Sequence, residues 1–340
     1  MTTTIAQVAK LAGVSIATVS RCINNPEKVR PATRQKVQKA VAKTNYSPNS
    51  LAQSFRRGHT NIVMVVLPSV GDPFLGNVLS GIRSRLAGRY SVLLAETDLN
   101  HVDYEEVGAL LVSRQIDGLI LLATLLPFGA SLEQMGEGRR LPVVVGCEPI
   151  TQELRSLPSV HIDNEGAAFE ATKYLIDIGH RHIAFIHGGK ASLLTQDREQ
   201  GFRKAMEASS VPVHEDFIQD GHMTLDGGIA ATNFLLGKAR RPTALFCAND
   251  EMALGALHAI ARAGYRVPDD ISVMGFDDSR YAAVANPPLS TIAQPAREIG
   301  ERVAERMLAE LDGKGERDVV VDLLPHRLVI RQSTGRPASG

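Results

Sequence analysis

The sequence predicts a small helical unit at the N-terminus, followed by an α/β body built from two doubly wound lobes. Two observations carry this prediction. Residues 1–59 contain ten Lys and Arg but a single acid, Glu27, whereas residues 60–340 contain 27 bases and 36 acids. Beyond residue 60, short β-branched or aliphatic runs alternate with stretches long enough to form crossover helices. The uneven charge indicates two different tasks within one chain.

Composition and motifs exclude several classes of protein. Of the 340 residues, 44% are hydrophobic and 22% are charged, which is typical of a globular protein with more than one domain. Apolar runs fall short of the roughly 20 residues that cross a bilayer, and the first residues lack a secretory-signal layout. Cys22, Cys147 and Cys247 have no metal-ligand spacing, and no HExxH motif occurs. We therefore expect a cytoplasmic protein with reduced thiols, no membrane association, no metal and no cofactor.

The basic segment contains the start and stop signals of three helices. The four residues beginning at Thr4 fit a capping box, and Gly13 can end the first helix in a left-handed conformation. Ser15 is placed to cap a second helix over residues 16–21, and Pro31 can open a third. Two short helices joined by a Gly-containing turn and braced by a third form a helix-turn-helix, whose second helix enters the major groove of DNA.

The motif Val8-Ala9-x-Leu11-Ala12-Gly13-Val14-Ser15-x-x-Thr18-Val19-Ser20-Arg21-x-Ile23-Asn24 resembles the headpiece of the lactose/galactose repressor family. The resemblance implies that Ile16 and Ala17 occupy the variable base-reading positions and that Arg21 also reads a base. Ile and Ala offer only apolar contacts, so we expect Arg21 to supply most polar readout by pairing with guanine. A phosphate contact is the alternative role for Arg21. The residues predicted to contact DNA are Thr4, Ser15, Ile16, Ala17, Thr18, Ser20, Arg21, Asn24, Asn49, Ala52, Phe55 and Arg56.

Residues 47–59 are predicted to form a hinge between the two parts. Asn45-Tyr46-Ser47-Pro48-Asn49 followed by Ala52-Gln53 resembles the hinge of the same family. The segment has little apolar material, so we expect it to be disordered or weakly helical when alone. The resemblance implies that Phe55, where a smaller aliphatic residue is more usual, enters the minor groove from a hinge helix and kinks the duplex. The alternative is that Phe55 packs on its dimer mate or on the core, with Arg56 beside phosphates in either case.

The body is predicted to contain two series of strands, one for each lobe. The first series comprises residues 62–67, 92–95, 118–122 and 143–145, and the second comprises residues 160–162, 183–186, 244–247 and 271–276. The chain is expected to cross between the lobes near residues 148–158, again near 287–295, and a third time close to the C-terminus. An exposed aliphatic face on the helix over residues 73–86 is expected to contribute to a dimer interface. The predicted domains are 1–46 (headpiece), 47–59 (hinge), 60–335 (effector binding and dimerisation) and 336–340 (flexible tail).

Polar or turn-forming residues follow most strands, and ligands of doubly wound sheets bind beyond the carboxyl ends of strands. A cleft lined by amides, carboxylates and aromatics suits a neutral polyhydroxylated molecule, because each hydroxyl both donates and accepts. The body also resembles the effector domain of the repressor family, which is of periplasmic-binding-protein type. This implies that Arg198, Asn249 and Asp277 bind hydroxyls. The predicted effector-binding residues are Asp72, Phe74, Phe128, Cys147, Arg198, Met223, Asn249 and Asp277.

Several alternatives remain open for this cleft. Asp277 could be an N-cap or turn carboxylate, and Arg198 could form an interlobe ion pair. Residues 115–118, 126–128 and 157–164 resemble a nucleoside-responsive branch of the family, which implies a nucleoside effector. A free sugar, a sugar acid and a purine are the alternatives.

Three classes of function compete. A DNA-binding regulator accounts for both the basic headpiece and the two lobes. An exported solute-binding protein would need a signal sequence and no headpiece, and an enzyme would need a catalytic motif such as GxSxG or a P-loop, neither of which occurs. We therefore expect a homodimeric, non-enzymatic regulator that binds a palindromic double-stranded operator and a small-molecule effector.

Overall fold

A computed structural model describes residues 4–44, 46, 59–96, 115–122, 141–147, 153–189, 192–315 and 320–338. The chain divides into two compact units, Met1–Thr60 and Asn61–Gly340. The described helices are α1 (Ile5–Ala12), α2 (Ile16–Asn24), α3 (Pro31–Thr44), α4 (Pro73–Leu86), α5 (Asn164–Asp177), α6 (Leu193–Ala208), α7 (Leu225–Leu236), α8 (Asp250–Arg262) and α9 (Ala296–Leu311). The described strands are β1 (Ile62–Leu67), β2 (Ser91–Glu96), β3 (Gly118–Leu122), β4 (Val143–Gly146), β5 (Ser159–Ile162), β6 (Ile183–His187), β7 (Ile218–Asp220), β8 (Ala244–Cys247), β9 (Ser272–Asp277), β10 (Ser290–Ala293), β11 (Val321–Leu324) and β12 (Arg327–Val329).

The N-terminal unit is the predicted three-helix bundle. Its core contains Val8 from α1, Val19 from α2 and Val37 from α3, each at most 1% exposed. The apolar positions recur at helical spacing on each helix, so one face of every helix can be buried against the other two. The predicted capping box at Thr4 and the helix start at Pro31 are both confirmed.

The second unit contains two six-stranded sheets, one in each lobe. The order in the first lobe is β11-β5-β4-β3-β1-β2, and all its strands are parallel. The order in the second lobe is β12-β10-β9-β8-β6-β7, in which only the pairing of β12 with β10 is antiparallel. Parallel strands need helical crossovers that cover the sheet, which explains why the central strands are apolar on both faces.

The chain crosses between the lobes three times, and the first crossing differs from the prediction. We expected it within residues 148–158, with residues 160–162 opening the second lobe. Instead β5 pairs with β4 and β11 in the first lobe, and the chain crosses at Asp163, which caps α5. The second crossing lies at Gln294 and Pro295, within the predicted range, and the third lies between β11 and β12.

Helix α4 also differs from the prediction, because its aliphatic side chains do not form an exposed face. Val78 and Ile82 are fully buried, and α4 packs along α9 and on the first-lobe sheet. The two helices approach closely where each carries a glycine. A Cβ atom at Gly81 would clash with the backbone of α9 at Arg297, and one at Gly300 would clash with the backbone of α4. The expectation that α4 exposes an aliphatic face is therefore wrong, and a contribution of α4 to a dimer interface stays a prediction.

No helix in the described parts of the chain is long and apolar enough to cross a membrane. Cys22, Cys147 and Cys247 are buried, and none of the three is in a disulfide.

Candidate functional site

The turn between α1 and α2 is fixed at both of its ends. Gly13 adopts a left-handed conformation with φ of 65°, as predicted, and its N–H donates to carbonyl groups at the end of α1. The Ser15 hydroxyl then accepts from the backbone N–H of Thr18 at 3.2 Å, which confirms it as the N-cap of α2. Because the Ser15 hydroxyl caps α2, part of its hydrogen-bonding capacity is used within the protein and not for contact with DNA.

The outward face of α2 carries the side chains predicted to read bases. Ile16 is 49% exposed, and Ala17 and Arg21 are also exposed, whereas Val19 and Cys22 face the core. Thr18 and Ser20 are half-buried, and Asn24 is the last residue of the helix. Asn49, Ala52, Phe55 and Arg56 lie outside the described residues.

The predicted effector-binding residues meet in one cleft of about 660 Å³ at the carboxyl ends of strands from both lobes. Phe128 lies outside the described residues. The other seven line the cleft, namely Asp72, Phe74, Cys147, Arg198, Met223, Asn249 and Asp277. The volume falls within the range of small-molecule pockets, which is about 300–1,000 Å³.

Arg198 crosses the floor of the cleft from helix α6 and is only 3% exposed. Its Nε donates to Asn164 Oδ1 at 2.8 Å, and its Nη1 donates to the carbonyl oxygen of Ala248. The guanidinium carbon lies 3.7 Å from the centre of the Phe276 ring, in a cation–π arrangement. All these partners belong to the second lobe, so these contacts fix the Arg198 head group there and do not constitute an interlobe ion pair.

Asp277 is the last residue of β9 and lies beside Arg198. Its Oδ1 accepts from Gln294 Nε2 at 2.7 Å and is 3.9 Å from Arg198 Nη1. Burial raises the pKa of Asp277 well above its ordinary value, and the nearby Arg198 cation opposes that effect. No described helix begins at Asp277, so the N-cap alternative is wrong. The residue has a φ of 115°, a backbone conformation that favours glycine.

Asp72 and Asn249 bring two helix N-termini to the cleft. Asp72 Oδ1 accepts from the N–H groups of Phe74 and Leu75 at 2.7 and 3.3 Å, which caps α4. Asn249 Oδ1 accepts from the N–H of Met252 at 2.9 Å, which caps α8, and its Nδ2 donates to the carbonyl oxygen of Met223 at 3.1 Å. Both side chains are therefore positioned by the helices that they begin.

Apolar side chains complete the lining. Phe74 is 8% exposed on the first turn of α4, and Met223 lies in a turn where its φ is 57°. The Met223 side chain packs so closely on Gly188 that a Cβ atom there would clash with it. Cys147, 3% exposed with φ of 68°, follows β4 and donates its N–H to the carbonyl oxygen of Val160 at 3.0 Å.

Sequence reasoning missed several polar residues of the cleft. Glu96 ends β2, and its Oε1 accepts from the N–H of Val70 at 3.1 Å. Glu251 lies in the first turn of α8, where burial and then the charge of Asp72 raise its pKa. Gln294 occupies the second crossing. The strand-end rule could have found Glu96 if β2 had been extended by one residue, and Glu251 if the first turn after Asn249 had been included. Ser192, His222 and Thr224 also line the cleft.

A helix-turn-helix unit joined to a two-lobed α/β module with a polar cleft defines the class of effector-responsive DNA-binding regulators. Comparison with known proteins agrees with this class. A family model described as bacterial regulatory proteins of the lacI family matches residues 4–49, and a periplasmic binding protein-like domain matches residues 172–334.

Relatives match nearly the whole chain. It is 38% identical to the HTH-type transcriptional repressor CytR of Escherichia coli (strain K12) over 336 residues, or 97% of this chain and 96% of that protein. It is 34% identical to catabolite control protein A of Priestia megaterium, over 98% of this chain and 100% of the relative. The chain therefore belongs to the LacI family of DNA-binding transcriptional regulators.

Solved structures show the same architecture. The lac repressor dimer bound to operator and the anti-inducer ONPF matches with a TM-score of 0.83 and 30% identity, covering 98% of this chain and 100% of that one. The complex of the transcriptional regulator CelR with cellobiose matches with a TM-score of 0.74 and 33% identity, covering 97% and 99%. The predicted α/β fold with an N-terminal helix-turn-helix is thereby confirmed.

Proposed function

We propose that this chain is a homodimeric transcriptional repressor whose operator affinity is controlled by a small polyhydroxylated effector, most simply a nucleoside. The observation that carries the proposal is the meeting of seven predicted effector-binding residues in one cleft between two lobes. The amide of Asn249 and the carboxyl of Asp277 suit hydroxyl groups, and Phe74 offers a face for a ring. A nucleoside is favoured over other polyhydroxylated molecules because residues 115–118, 126–128 and 157–164 resemble a nucleoside-responsive branch of the family.

Operator recognition begins with the exposed face of α2. Arg21 presents a guanidinium that can form two bonds to guanine, while Ile16 and Ala17 can contact a thymine methyl group. Two headpieces of a dimer would read the two halves of a palindrome, because protein symmetry is mirrored in the operator. The lac repressor dimer bound to its operator supplies a precedent for this arrangement.

Regulation follows from linkage between the cleft and the headpieces. An effector in the cleft contacts both lobes, so it stabilises one angle between them, and that angle decides whether the two hinges can pair. The effector can change operator affinity only to the extent that it binds the two lobe arrangements with different affinity. Either release or recruitment of the repressor is compatible with this mechanism.

A free sugar is the second candidate for the effector. The same cleft groups would bind sugar hydroxyls, and the related regulator CelR was solved in complex with cellobiose. Calorimetric titration of the full chain with cytidine, adenosine and ribose separates the candidates. A nucleoside effector predicts heat from the first two, whereas heat from ribose alone would favour a sugar.

Operator binding and assembly are tested together. A palindromic duplex selected by the full chain should be retarded in a gel, with its affinity altered at least about fivefold by the effector, which is the lower end of usual coupling. The species in sedimentation should have twice the 36.7 kDa mass of one chain. A tetramer at low concentration, or a monomer that binds effector but no duplex, would contradict the proposal.

The role proposed for Phe55 has its own test. Insertion of the ring between base steps would kink the duplex, at a cost of a few kcal/mol in unstacking. Phe55→Ala should therefore reduce operator bending measured by energy transfer between labelled DNA ends. Unchanged bending would assign Phe55 to packing instead.

A further inference from the structure

The described lining of the effector cleft carries more negative than positive groups. Its acids are Asp72, Glu96, Glu251 and Asp277, which come from both lobes. Its basic groups are Arg198 and, at the rim, His222. The ligand that enters this cleft therefore meets an excess of carboxyl groups.

The positive groups of this lining are engaged within the protein. The Arg198 guanidinium is bonded to Asn164 and Ala248, stacked on Phe276 and placed 3.9 Å from Asp277. The side chain of His222 is 73% exposed, and its Nδ1 lies 3.4 Å from Asp220 Oδ1. An anionic group in the cleft would have to compete with these partners to gain a counter-ion.

Two of the helix N-termini at the cleft, those of α4 and α8, have acids of the chain at the N-cap or in the first turn. A helix N-terminus attracts anions through its free N–H groups and its dipole. At α4 those groups are bonded to the carboxylate of Asp72. At α8 the first turn itself contains Asp250 and Glu251. Helix N-termini often bind phosphate in α/β proteins, and here acids already lie at those of α4 and α8, whereas α6, whose N-cap Ser192 also lines the cleft, has no acid in its first turn.

Protonation lowers this excess of negative charge. Burial raises the pKa of Asp72, Glu251 and Asp277, and the charge of Asp72 further raises the pKa of Glu251 and Asp277. A carboxyl that takes up a proton loses its negative charge, while the Arg198 cation stays bonded to Asn164 and Ala248. The described lining therefore repels an anion most strongly when these acids are ionised.

We propose that the cleft selects effectors without negative charge, so that a nucleoside is bound and its 5′-phosphate is rejected, with Glu96 and Glu251 as the discriminating residues. This inference rests on the proposed effector role of the cleft. Exclusion is electrostatic, because a volume of about 660 Å³ leaves room for the extra phosphate. Phosphate carries a charge of about −1.5 to −2 near neutral pH and would lie against like charges.

Charge selection would connect the regulator to the reactions that add phosphate to a nucleoside or remove it. A nucleoside that is phosphorylated at its 5′ position acquires the group that the cleft rejects. A phosphoryl transfer that consumes the nucleoside would therefore end the signal, and a phosphatase reaction that releases the nucleoside would begin it.

Calorimetric titration of the full chain with two matched pairs tests the inference. The pairs are cytidine with cytidine 5′-monophosphate, and glucose with gluconate, each at low and high salt. The variant E96Q/E251Q removes two charges with little change of shape, and E207Q, an exposed glutamate on α6 outside the cleft, is the control.

We expect the uncharged member of a pair to bind at least about tenfold more tightly than the anion, with a smaller ratio at high salt. E96Q/E251Q should lower that ratio at least about threefold by strengthening anion binding, while E207Q leaves it unchanged. An anion that binds within about threefold of its uncharged partner, or binds when the partner does not, would overturn the inference. If glucose binds and cytidine does not, the result contradicts only the proposal that the effector is a nucleoside. The glucose and gluconate pair still tests the charge selection.

Discussion

At the scale of single residues, Arg198 combines a structural role with a predicted role in effector binding. Its guanidinium is planar, presents several donors in fixed directions and stacks on Phe276, three properties that a lysine ammonium lacks. Arg198→Lys keeps the charge but loses the bond from Nε to Asn164 and the stacking. We therefore expect at least about a tenfold loss of effector affinity in calorimetry, equivalent to about 1.4 kcal/mol.

The same helix supplies a matched control for this change. Arg203 lies five residues further along α6, where it forms ion pairs with Glu199 and Glu215 and does not line the cleft. Arg203→Lys should leave effector affinity unchanged. Equal losses in the two variants would indicate that any change on α6 disturbs the cleft, and Arg198 would lose its special role.

Asp277 predicts how stability depends on pH. Its pKa is raised in the folded protein by burial, so the neutral carboxyl stabilises the fold at low pH, and this contribution is lost as the pH rises from about 4 through the raised pKa. In the variant Asp277→Asn, the amide side chain cannot ionise. The difference in unfolding free energy, wild type minus variant, should therefore fall between pH 5 and pH 8. The fall is about 1.4 kcal/mol for each pH unit over which the folded protein keeps the proton that the unfolded chain has released.

Urea unfolding of both proteins across this pH range measures that difference, in which titrating groups remote from Asp277 cancel. Asp269→Asn, which removes an exposed carboxylate that pairs with Arg266, is the matched control. A difference for Asp277→Asn that stays constant or grows with pH would show that the folded protein favours the charged form of Asp277.

At the scale of elements, the close contact between α4 and α9 depends on glycine. Gly81→Ala would force the backbones of the two helices apart, and we expect a loss of at least about 2 kcal/mol in unfolding free energy, as for other overpacked sites. Gly76 lies on the same helix with no atom within 4 Å of an added Cβ. Gly76→Ala should stabilise the protein by about 0.5–1 kcal/mol, because alanine is the better helix former. Loss of stability at both positions in urea unfolding would refute the packing argument.

Local signals in the sequence were sufficient for the elements that have local causes. The capping box at Thr4, the turn at Gly13 and the cap at Ser15 are set by neighbouring residues, and all three were predicted correctly. Strands β7, β10, β11 and β12 were missed: each is three or four residues long and contains polar or charged residues that shorten its apolar run. Nothing local in residues 321–324 indicates that they pair with β5, some 160 residues earlier in the sequence.

The assignment of β5 to the wrong lobe has the same physical origin. Its residues have the apolar pattern of a buried strand, but that pattern does not say which sheet the strand joins. For the cleft, the resemblance to a family identified Arg198 within α6, Asn249 at the start of α8 and Asp277 at the end of β9. Glu96, Glu251 and Gln294 were missed, because their place in the lining depends on which strand and helix ends of the two lobes meet.

At the scale of the whole molecule, the division of charge predicts how salt acts on the two binding activities. Of the headpiece bases that the structure describes, Lys10, Arg21, Lys28, Arg30, Lys36, Lys39 and Lys43 are exposed. Binding that neutralises several phosphates releases counter-ions, so operator affinity should fall about 10³-fold or more between 50 and 200 mM salt.

Uncharged cytidine, in contrast, should change its affinity by less than about threefold over the same range, since exposed charges contribute little to its binding. Fluorescence anisotropy of a labelled operator and calorimetry of cytidine measure the two slopes on one preparation. An operator affinity that is insensitive to salt would contradict the assignment of the basic headpiece to phosphate contact.

The three crossings between the lobes limit how genes of this kind can be recombined. The first lobe is assembled from the described parts of residues 61–162 and 296–324, and the second from the described parts of residues 164–293 and 327–338. No single uninterrupted stretch of coding sequence therefore specifies one complete lobe. A chimera with a new effector preference must inherit both lobes as one block, joined near residue 60 where the sequence passes from one compact unit to the other. Exchange of a single lobe would need matched breakpoints at all three crossings.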